Sequence, residues 1–158
     1  MRHGTAAGRL PEGSDHERRL TARGVREAEW TAGELTRLGW PVERVLYSDA
    51  FRTTETWWSM QPHFPNAVAQ DMELLYRADV DALLDLMGRQ SRFPGVVLWI
   101  GHNPTWSQVV SLMAGESRSM KPATAACLEL PGGIPSLGGW SGGANLCHWL
   151  VPPGDGAD

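Results

Sequence analysis

Residues 95–104 have the sequence Gly-Val-Val-Leu-Trp-Ile-Gly-His-Asn-Pro, and this stretch decides the fold. The uninterrupted apolar run Val96–Ile100 is typical of a strand that is covered on both faces, as in a parallel sheet. Asn103 can cap a helix and Pro104 can occupy its first position, so a helix is predicted directly after the strand. A strand followed at once by a helix is the repeating unit of an α/β protein.

The same alternation continues on both sides of this stretch. Helices are predicted over residues 22–38 and 50–60, from residue 80 onward, and after Pro104; strands are predicted over residues 45–47, 125–130 and 146–151. The helix from residue 80 is the clearest, because Asp79 can cap it and apolar side chains recur at helical spacing after it. The pattern predicts a three-layer α/β/α sandwich with a mostly parallel sheet. It forms one domain over residues 1–151, with a Gly-rich loop at 132–143 and a flexible tail at 152–158.

The start of the chain departs from this pattern. A sheet strand should lead into Arg2-His3-Gly4, yet only Met1 precedes that segment. Either the protein begins upstream of Met1, or the sheet lacks one strand. The first strand is therefore expected to be truncated.

Composition excludes several classes of protein. The chain has 158 residues, a formal charge of −4 and 42% hydrophobic residues, which favours a globular protein and argues against a nucleic-acid or anionic-membrane partner. The longest apolar run is too short to cross a bilayer, and no signal segment opens the chain, so a cytoplasmic protein is predicted. Cys127 and Cys147 lack metal-ligand spacing and are expected to be reduced and packed, although a pair between neighbouring strands stays open.

Polar signatures follow three of the predicted strand positions. They contain His3 beside Arg2, Arg52 in the first turn of its helix, and His102 at the end of the run from Val96. Because parallel strands gather ligands at their carboxyl ends, these side chains are expected to share one pocket.

Two imidazoles and two guanidiniums in one pocket suit a phosphoryl group. Arginine binds phosphate through paired hydrogen bonds and stays charged, and a neutral imidazole is a competent nucleophile that would form a phosphohistidine. Each residue also has a simpler interpretation: His3 as a solvated side chain, Arg52 as a surface ion-pair partner, and His102 as a packed or capping histidine. Their joint occurrence at three predicted strand ends favours the phosphoryl site.

The ordered motifs resemble the histidine phosphatase superfamily, which has the phosphoglycerate-mutase-like fold. The short length and the Gly-His-Asn-Pro form are most similar to the small SixA-type phosphohistidine phosphatases. The resemblance covers residues 2–151 and rests on four segments: Arg2-His3-Gly4-Thr5, Leu20-Thr21-Ala22-Arg23-Gly24 with Ala28, Ser48-Asp49-Ala50-Phe51-Arg52-Thr53-Thr54-Glu55-Thr56, and Gly101-His102-Asn103-Pro104.

The resemblance implies that His3 accepts the phosphoryl group and that Arg2, Arg52 and His102 complete the phosphate pocket, with no metal or organic cofactor. The implied activity is a metal-independent phosphatase acting on protein phosphohistidine. A small phosphomonoester is the alternative substrate, so the expected partner is a phosphorylated protein or a small phosphorylated metabolite. A phosphate- or phosphoprotein-binding module without turnover is the rival from another class.

The resemblance leaves the identity of the general acid undecided. Larger family members carry an acidic residue after the third strand, and Glu73 is its nearest counterpart, against the alternative of a solvated loop carboxylate; Asp71 is a weaker option. His16, in the polar loop 12–19, could line the pocket mouth or be a solvated loop residue.

Overall fold

The computed structural model describes residues 1–9, 12–90, 93–131 and 143–154. The strands are β1 (Val42–Tyr47), β2 (Val68–Asp71), β3 (Val96–Ile100), β4 (Ala125–Glu129) and β5 (Asn145–Leu150). The helices are α1 (Ala22–Arg37), α2 (Phe51–Met60), α3 (Leu74–Arg77), α4 (Val80–Gln90) and α5 (Thr105–Ala114), with a 3₁₀ turn at Gln61–His63.

The strands form a parallel sheet and an antiparallel pair. The parallel sheet has the order β2-β1-β3, with Val45 of β1 opposite Leu98 of β3 and Ala69 of β2. The strands β4 and β5 pair antiparallel, with Ala125 opposite Leu150. The predicted α/β class with a mostly parallel sheet is therefore confirmed.

The short segment Met1–His3 joins these two groups of strands. Arg2 forms a parallel bridge with Gly101, just beyond β3, and its amide donates to the carbonyl of Thr124, just before β4, at 3.0 Å. The His3 amide donates to the carbonyl of Gly101 at 3.1 Å, and the His3 carbonyl accepts from the Ala123 amide at 2.9 Å. This short segment, called the stub below, therefore lies between the carboxyl end of β3 and the start of β4.

The apolar core lies on both faces of the sheet. Val45 packs on one face with Ala32 of α1 and Trp57 of α2, whereas its neighbour Leu46 packs on the other face in the cluster that holds α4 and α5. Because side chains alternate along a strand, β1 contributes to both clusters. This arrangement gives the three layers that the sequence predicts.

Helix ends follow the predicted capping residues, with one exception. Thr21 Oγ1 accepts from the Gly24 amide at 3.1 Å, and Asp79 Oδ1 accepts from the Ala82 amide at 2.9 Å. The exception is α5, which begins at Thr105 with Pro104 in the cap position, so the prediction that Asn103 caps and Pro104 opens the helix is wrong.

The Asn103 side chain still lies against the start of α5. Its Oδ1 accepts from the Ser107 hydroxyl at 2.9 Å, while its amide nitrogen donates to the Met120 carbonyl at 2.9 Å. Its Oδ1 also accepts from the Ser107 amide at 3.3 Å, so the side chain ties the start of α5 to the segment that precedes β4.

Two elements were not predicted, and part of the predicted layout lies outside the described residues. β2 and α3 carry mostly exposed residues, with Val68 70% exposed, so they lack the apolar periodicity that marks a buried strand or helix. Most of the Gly-rich loop and residues 155–158 of the predicted tail lie outside the described ranges. None of the described helices is long and apolar enough to cross a membrane.

Candidate active site

Three chain segments converge at the carboxyl ends of β1 and β3. After β1, the chain passes through Ser48 into α2, whose first turn carries Arg52. After β3 it passes through Gly101 to His102, and the stub that carries His3 runs alongside. The ring centroids of His3 and His102 are 5.3 Å apart. The structure therefore brings together side chains that are about 50 residues apart in sequence at each step.

His3 is buried and has one ring nitrogen engaged. Its Nδ1 lies 2.7 Å from the carbonyl oxygen of Gly4. Since a carbonyl can only accept, we assign the ring proton to Nδ1, which leaves the Nε2 lone pair free. Burial lowers the pKa of His3 to about 4; the Gly4 hydrogen bond raises it, and the positive charges of Arg52 and Arg2 lower it further. The ring is therefore a neutral base at pH 7.

His102 is the most conspicuous unsatisfied group of the site. Both of its ring nitrogens are inaccessible and have no hydrogen-bond partner in the described part of the chain. Burial, followed by the charge of Arg52 and the neighbouring His3, lowers its pKa to about 3. The Tyr76 ring packs edge-on against it at 5.5 Å. Because buried polar atoms are almost always paired, these nitrogens indicate a position for a polar ligand.

Arg52 is buried and faces the carboxylate of Asp15. Its Nη1 donates to the Asp15 backbone carbonyl at 2.6 Å and its Nη2 to the carboxylate at 3.0 Å, while its Nε is buried and unpaired within the described ranges. Tyr76 donates to the same carboxylate at 3.0 Å, and Arg18 donates to its other oxygen at 2.9 Å.

These donors keep Asp15 ionised. The hydrogen bond from Arg18 lowers its pKa to about 2; burial acts in the opposite direction, and the hydrogen bond from Tyr76 and the charge of Arg52 lower the pKa further. An anion thus already lies against the guanidinium of Arg52. This contact shows directly that the pocket accepts negative charge at that place.

Arg2 supplies the second guanidinium. Its Nη1 donates to the Met120 carbonyl at 2.9 Å, which anchors the side chain, and its Nε is buried without a partner among the described residues. Its positive charge acts on the His3 ring. Arg2 therefore combines a fixed position with a donor that no described residue uses.

The turn after His3 is fixed by close contact with α1. A Cβ on Gly4 would lie 2.4 Å from the carbonyl oxygen of Gly24, so only glycine fits. The Gly4 amide donates to Thr56 Oγ1 at 3.1 Å, and Glu27 accepts from the amide of Thr5 at 2.8 Å and from its hydroxyl at 3.0 Å. Packing against α1 is therefore the physical reason for the glycine in the Arg-His-Gly motif.

The described residues contain no group of three or more His, Cys, Asp or Glu side chains arranged to hold a metal ion. Cys127 and Cys147 are both free thiols.

Comparisons with known proteins give both sequence relatives and structural neighbours. No family model matches the chain. An uncharacterized chloroplastic protein of Arabidopsis thaliana is 30% identical over 149 residues, which cover 80% of this chain and 66%, just under two thirds, of the relative. An uncharacterized protein of Mycobacterium leprae is 33% identical over 136 residues, covering 83% of this chain and 81% of the relative.

Two of the structural neighbours are named as SixA phosphatases. The proposed phosphohistidine phosphatase SixA of Nakamurella multipartitia is 26% identical with a TM-score of 0.82, covering 96% of this chain and 93% of the neighbour. This chain has the fold of the histidine phosphatase superfamily. The protein histidine phosphatase SixA solved with tungstate has the same fold, at 24% identity and a TM-score of 0.79, covering 96% of this chain and 94% of the neighbour.

Within this histidine phosphatase fold, the predicted acid is an exposed residue. The Glu73 side chain is exposed at the start of α3, and no hydrogen bond or ion pair in the described ranges joins it to His3, Arg52 or His102. His16 lies at the rim of the pocket, where its Nε2 is 3.0 Å from the carboxylate of Asp49 and its ring is 4.9 Å from that of Tyr76.

Sequence reasoning missed three residues of the site: Asp15, Arg18 and Tyr76. Asp15 and Arg18 belong to the polar loop that also holds His16, and the contacts that Asp15 makes with Arg52 and Tyr76 span 37 and 61 residues of sequence. Tyr76 lies in the short exposed helix α3. The signal that the sequence offered was the position of Asp15 directly before the candidate His16, and such a signal is weak.

Proposed function

We propose that this protein is a metal-independent phosphatase that acts on protein phosphohistidine through a phosphohistidine intermediate formed on His3. The observation that carries the proposal is the pair of buried, neutral imidazoles, with the His3 Nε2 and both His102 ring nitrogens unpaired in the described chain. Two guanidiniums with unused Nε donors, on Arg2 and Arg52, supply the positive charge that a phosphoryl group requires.

In this proposal the substrate phosphoryl group displaces Asp15 from Arg52. A phosphoryl oxygen takes the place of the carboxylate on the guanidinium, because two anions cannot share it without repulsion. Arg2 and His102 bind the remaining non-bridging oxygens, with His102 donating from one ring nitrogen. The phosphorus atom then faces the His3 Nε2, which carries no proton.

The reaction has two steps. The His3 Nε2 lone pair attacks phosphorus in line, the new N–P bond forms, and the N–P bond of the substrate breaks, so that the substrate histidine leaves as an imidazole and takes a proton from water. Water then attacks the phosphoenzyme, which releases inorganic phosphate and restores the neutral His3. Charge neutralisation by Arg2 and Arg52 takes the place of a metal ion in both steps.

The surroundings of the site favour an N–P bond over an ester. An alkoxide leaving group needs a general acid, whereas imidazole is a better leaving group. The exposed Glu73 side chain makes no hydrogen bond or ion pair with either imidazole in the described ranges. The pKa of Asp15 is held at about 2, so Asp15 carries no proton to donate in this arrangement. If an acid takes part, Glu73 is the candidate from sequence. The side chain of Phe51, 40% exposed beside the His16 ring, offers contact to a protein substrate.

The test is a substrate panel assayed with a matched pair of variants. The protein should release phosphate from a phosphohistidine-carrying protein domain at least about tenfold faster than from a phosphoserine peptide or a sugar phosphate. His3→Asn should abolish this activity, whereas His63→Asn, at an exposed position outside the site, should retain it. Faster turnover of the sugar phosphate would assign a metabolite substrate. Loss of activity with a chelator would contradict metal independence.

A further inference from the structure

The carboxylate of Asp15 lies at the open mouth of the pocket, outside the buried guanidinium of Arg52. The Asp15 side chain is 45% exposed, whereas that of Arg52 is 6% exposed and His3 is buried. Two donors share the carboxylate oxygen Oδ2, the Arg52 Nη2 and the Tyr76 hydroxyl, each at 3.0 Å. The Arg18 Nη1 donates to the other oxygen, Oδ1, at 2.9 Å. The carboxylate is therefore held at the mouth by more than one partner.

Two of the contacts of Asp15 do not use the position that the phosphoryl group takes. The argument from here rests on the proposed function, in which a phosphoryl oxygen replaces the carboxylate on the Arg52 Nη2. The Arg18 bond goes to the other oxygen, and Arg18 is itself anchored by donating from Nε to the Ala7 carbonyl at 2.8 Å. The Arg52 Nη1 donates to the Asp15 backbone carbonyl at 2.6 Å. These bonds keep Asp15 beside the bound phosphoryl group.

The leaving group of the substrate points toward the same mouth. In-line displacement places the attacking atom and the leaving atom on opposite sides of phosphorus. The attacking residue of the proposed reaction, His3, is buried on the stub between β3 and β4, so the leaving group lies on the open side. His16 is at the mouth as well, but its Nε2 faces the carboxylate of Asp49 at 3.0 Å. Asp15, which contacts Arg52 directly, is therefore next to the leaving group.

We propose that Asp15 determines the leaving-group specificity of this enzyme, because its carboxylate accepts a hydrogen bond from the imidazole of the substrate. In phosphohistidine, one ring nitrogen carries phosphorus and the other can take up a proton. The proton that the leaving imidazole takes from water goes to this second nitrogen, and the resulting N–H donates to Asp15. A carboxylate stabilises the cationic ring that forms. As the His3 Nε2 bonds to phosphorus, the electron pair of the breaking N–P bond returns to the ring, which leaves as neutral imidazole.

A phosphate ester gains nothing from this contact. The ester oxygen becomes negative as its bond to phosphorus breaks, and it has no N–H to donate, so the Asp15 carboxylate repels it. The hydrogen bond from Arg18 holds the pKa of Asp15 at about 2, so the carboxylate stays ionised near neutral pH. Asp15 thus competes with every phosphoryl group for Arg52, and only a leaving group that carries an N–H and positive charge offsets that competition.

The test compares phosphoimidazole with p-nitrophenyl phosphate, two small substrates that differ in the leaving group. Asp15→Asn keeps the size of the side chain and removes its charge. The ratio of kcat/KM for phosphoimidazole to that for p-nitrophenyl phosphate should fall at least about tenfold in this variant, because a hydrogen bond to a charged group is lost. Glu17→Gln is the matched control, an acid-to-amide change at an exposed residue of the same loop that accepts from Ser14, and it should leave the ratio unchanged.

The ratio does not depend on how much of a variant is folded, so a loss of stability alone would not change it. An equal fall in kcat/KM for both substrates would overturn the inference, because Asp15 would then act only by holding Arg52. An equal rise for both would also overturn it, since Asp15 would then be only a competitor for the phosphoryl position. Both results would leave the proposed phosphatase activity standing. No turnover of either substrate by the unsubstituted protein would instead contradict the proposed function, and this inference with it.

Discussion

The two ends of the junction between the parallel sheet and the β4–β5 pair differ in how they are filled. At the Gly101 end, the stub donates to both sides and the buried polar side chains of the active site lie beside it. At the Val97 end, no described residue bridges the strands, and the gap is an apolar cavity. At the Gly101 end, the turn that carries His3 is fixed by the contacts of Gly4 and Thr5 with Thr56, Glu27 and the backbone of Gly24.

The largest effect on activity should come from removing the positive charge of Arg52 at the Gly101 end of the junction. Arg52→Ala takes away the buried guanidinium that faces the candidate phosphoryl position, and transition-state charge stabilisation of this kind is worth about 10²–10³-fold in rate. We expect kcat/KM to fall by about 10³-fold, measured with a phosphohistidine-carrying protein domain. Arg19→Ala, which removes an exposed arginine paired with Glu55, is the control and should change it less than about twofold. A loss below tenfold for Arg52→Ala would place the phosphoryl group elsewhere.

A steric change at the same end should destabilise the fold. Gly4→Ala drives a methyl group onto the Gly24 carbonyl oxygen, a backbone atom that cannot turn away, so we expect a loss of about 2–4 kcal/mol in the free energy of unfolding. Gly8→Ala, with nothing within 4 Å of its Cβ position, is the matched control and should stay within about 0.5 kcal/mol. Urea denaturation measures both. Equal effects would show that the turn is not fixed by α1.

Core truncation should distinguish the apolar cavity between β3 and β4 from the packed core. Leu75, 1% exposed and outside the cavity lining, should cost about 2–5 kcal/mol in the free energy of unfolding on substitution by alanine. Met87→Ala enlarges the existing cavity and loses fewer contacts, so its cost should be about 1 kcal/mol. The two unfolding free energies are compared by urea denaturation. A cost for Met87→Ala as large as that for Leu75→Ala would mean that Met87 is packed as tightly as the core.

The last prediction concerns the pH dependence of stability. The folded-state pKa values of His3, about 4, and His102, about 3, lie below the ordinary value of about 6.5. The unfolded chain therefore binds more protons between pH 4 and pH 6.5, and stability should decline as the pH falls through this window, by up to about 1 kcal/mol per histidine and pH unit. His102→Asn should remove about half of the slope in denaturation experiments. An unchanged slope would show that His102 is not buried in neutral form.

Local sequence signals predicted the parts of the fold that short-range physics decides. The apolar run at Val96–Ile100, the cap at Thr21 and the cap at Asp79 all form as expected, because each depends on neighbours within a few residues. β2 was not predicted because it is an exposed edge strand with no apolar alternation.

The site could be predicted in part for the same reason. The three motifs indicated His3, Arg52 and His102, and the general rule for parallel sheets placed them together. The rule says nothing about Asp15, which reaches Arg52 across 37 residues through a loop without regular structure. The cavity between β3 and β4 was not predicted, because its apolar lining depends on tertiary packing.

The central claim is that His3 carries the phosphoryl group during turnover. Rapid acid-free quenching of the reaction with a radiolabelled phosphohistidine protein tests it directly, because a phosphohistidine survives base and is lost in acid. We expect acid-labile label on the unsubstituted enzyme and none on His3→Asn. The control His63→Asn should be labelled to the same extent as the unsubstituted enzyme. Turnover without label on the enzyme, or label that persists on His3→Asn, would contradict it.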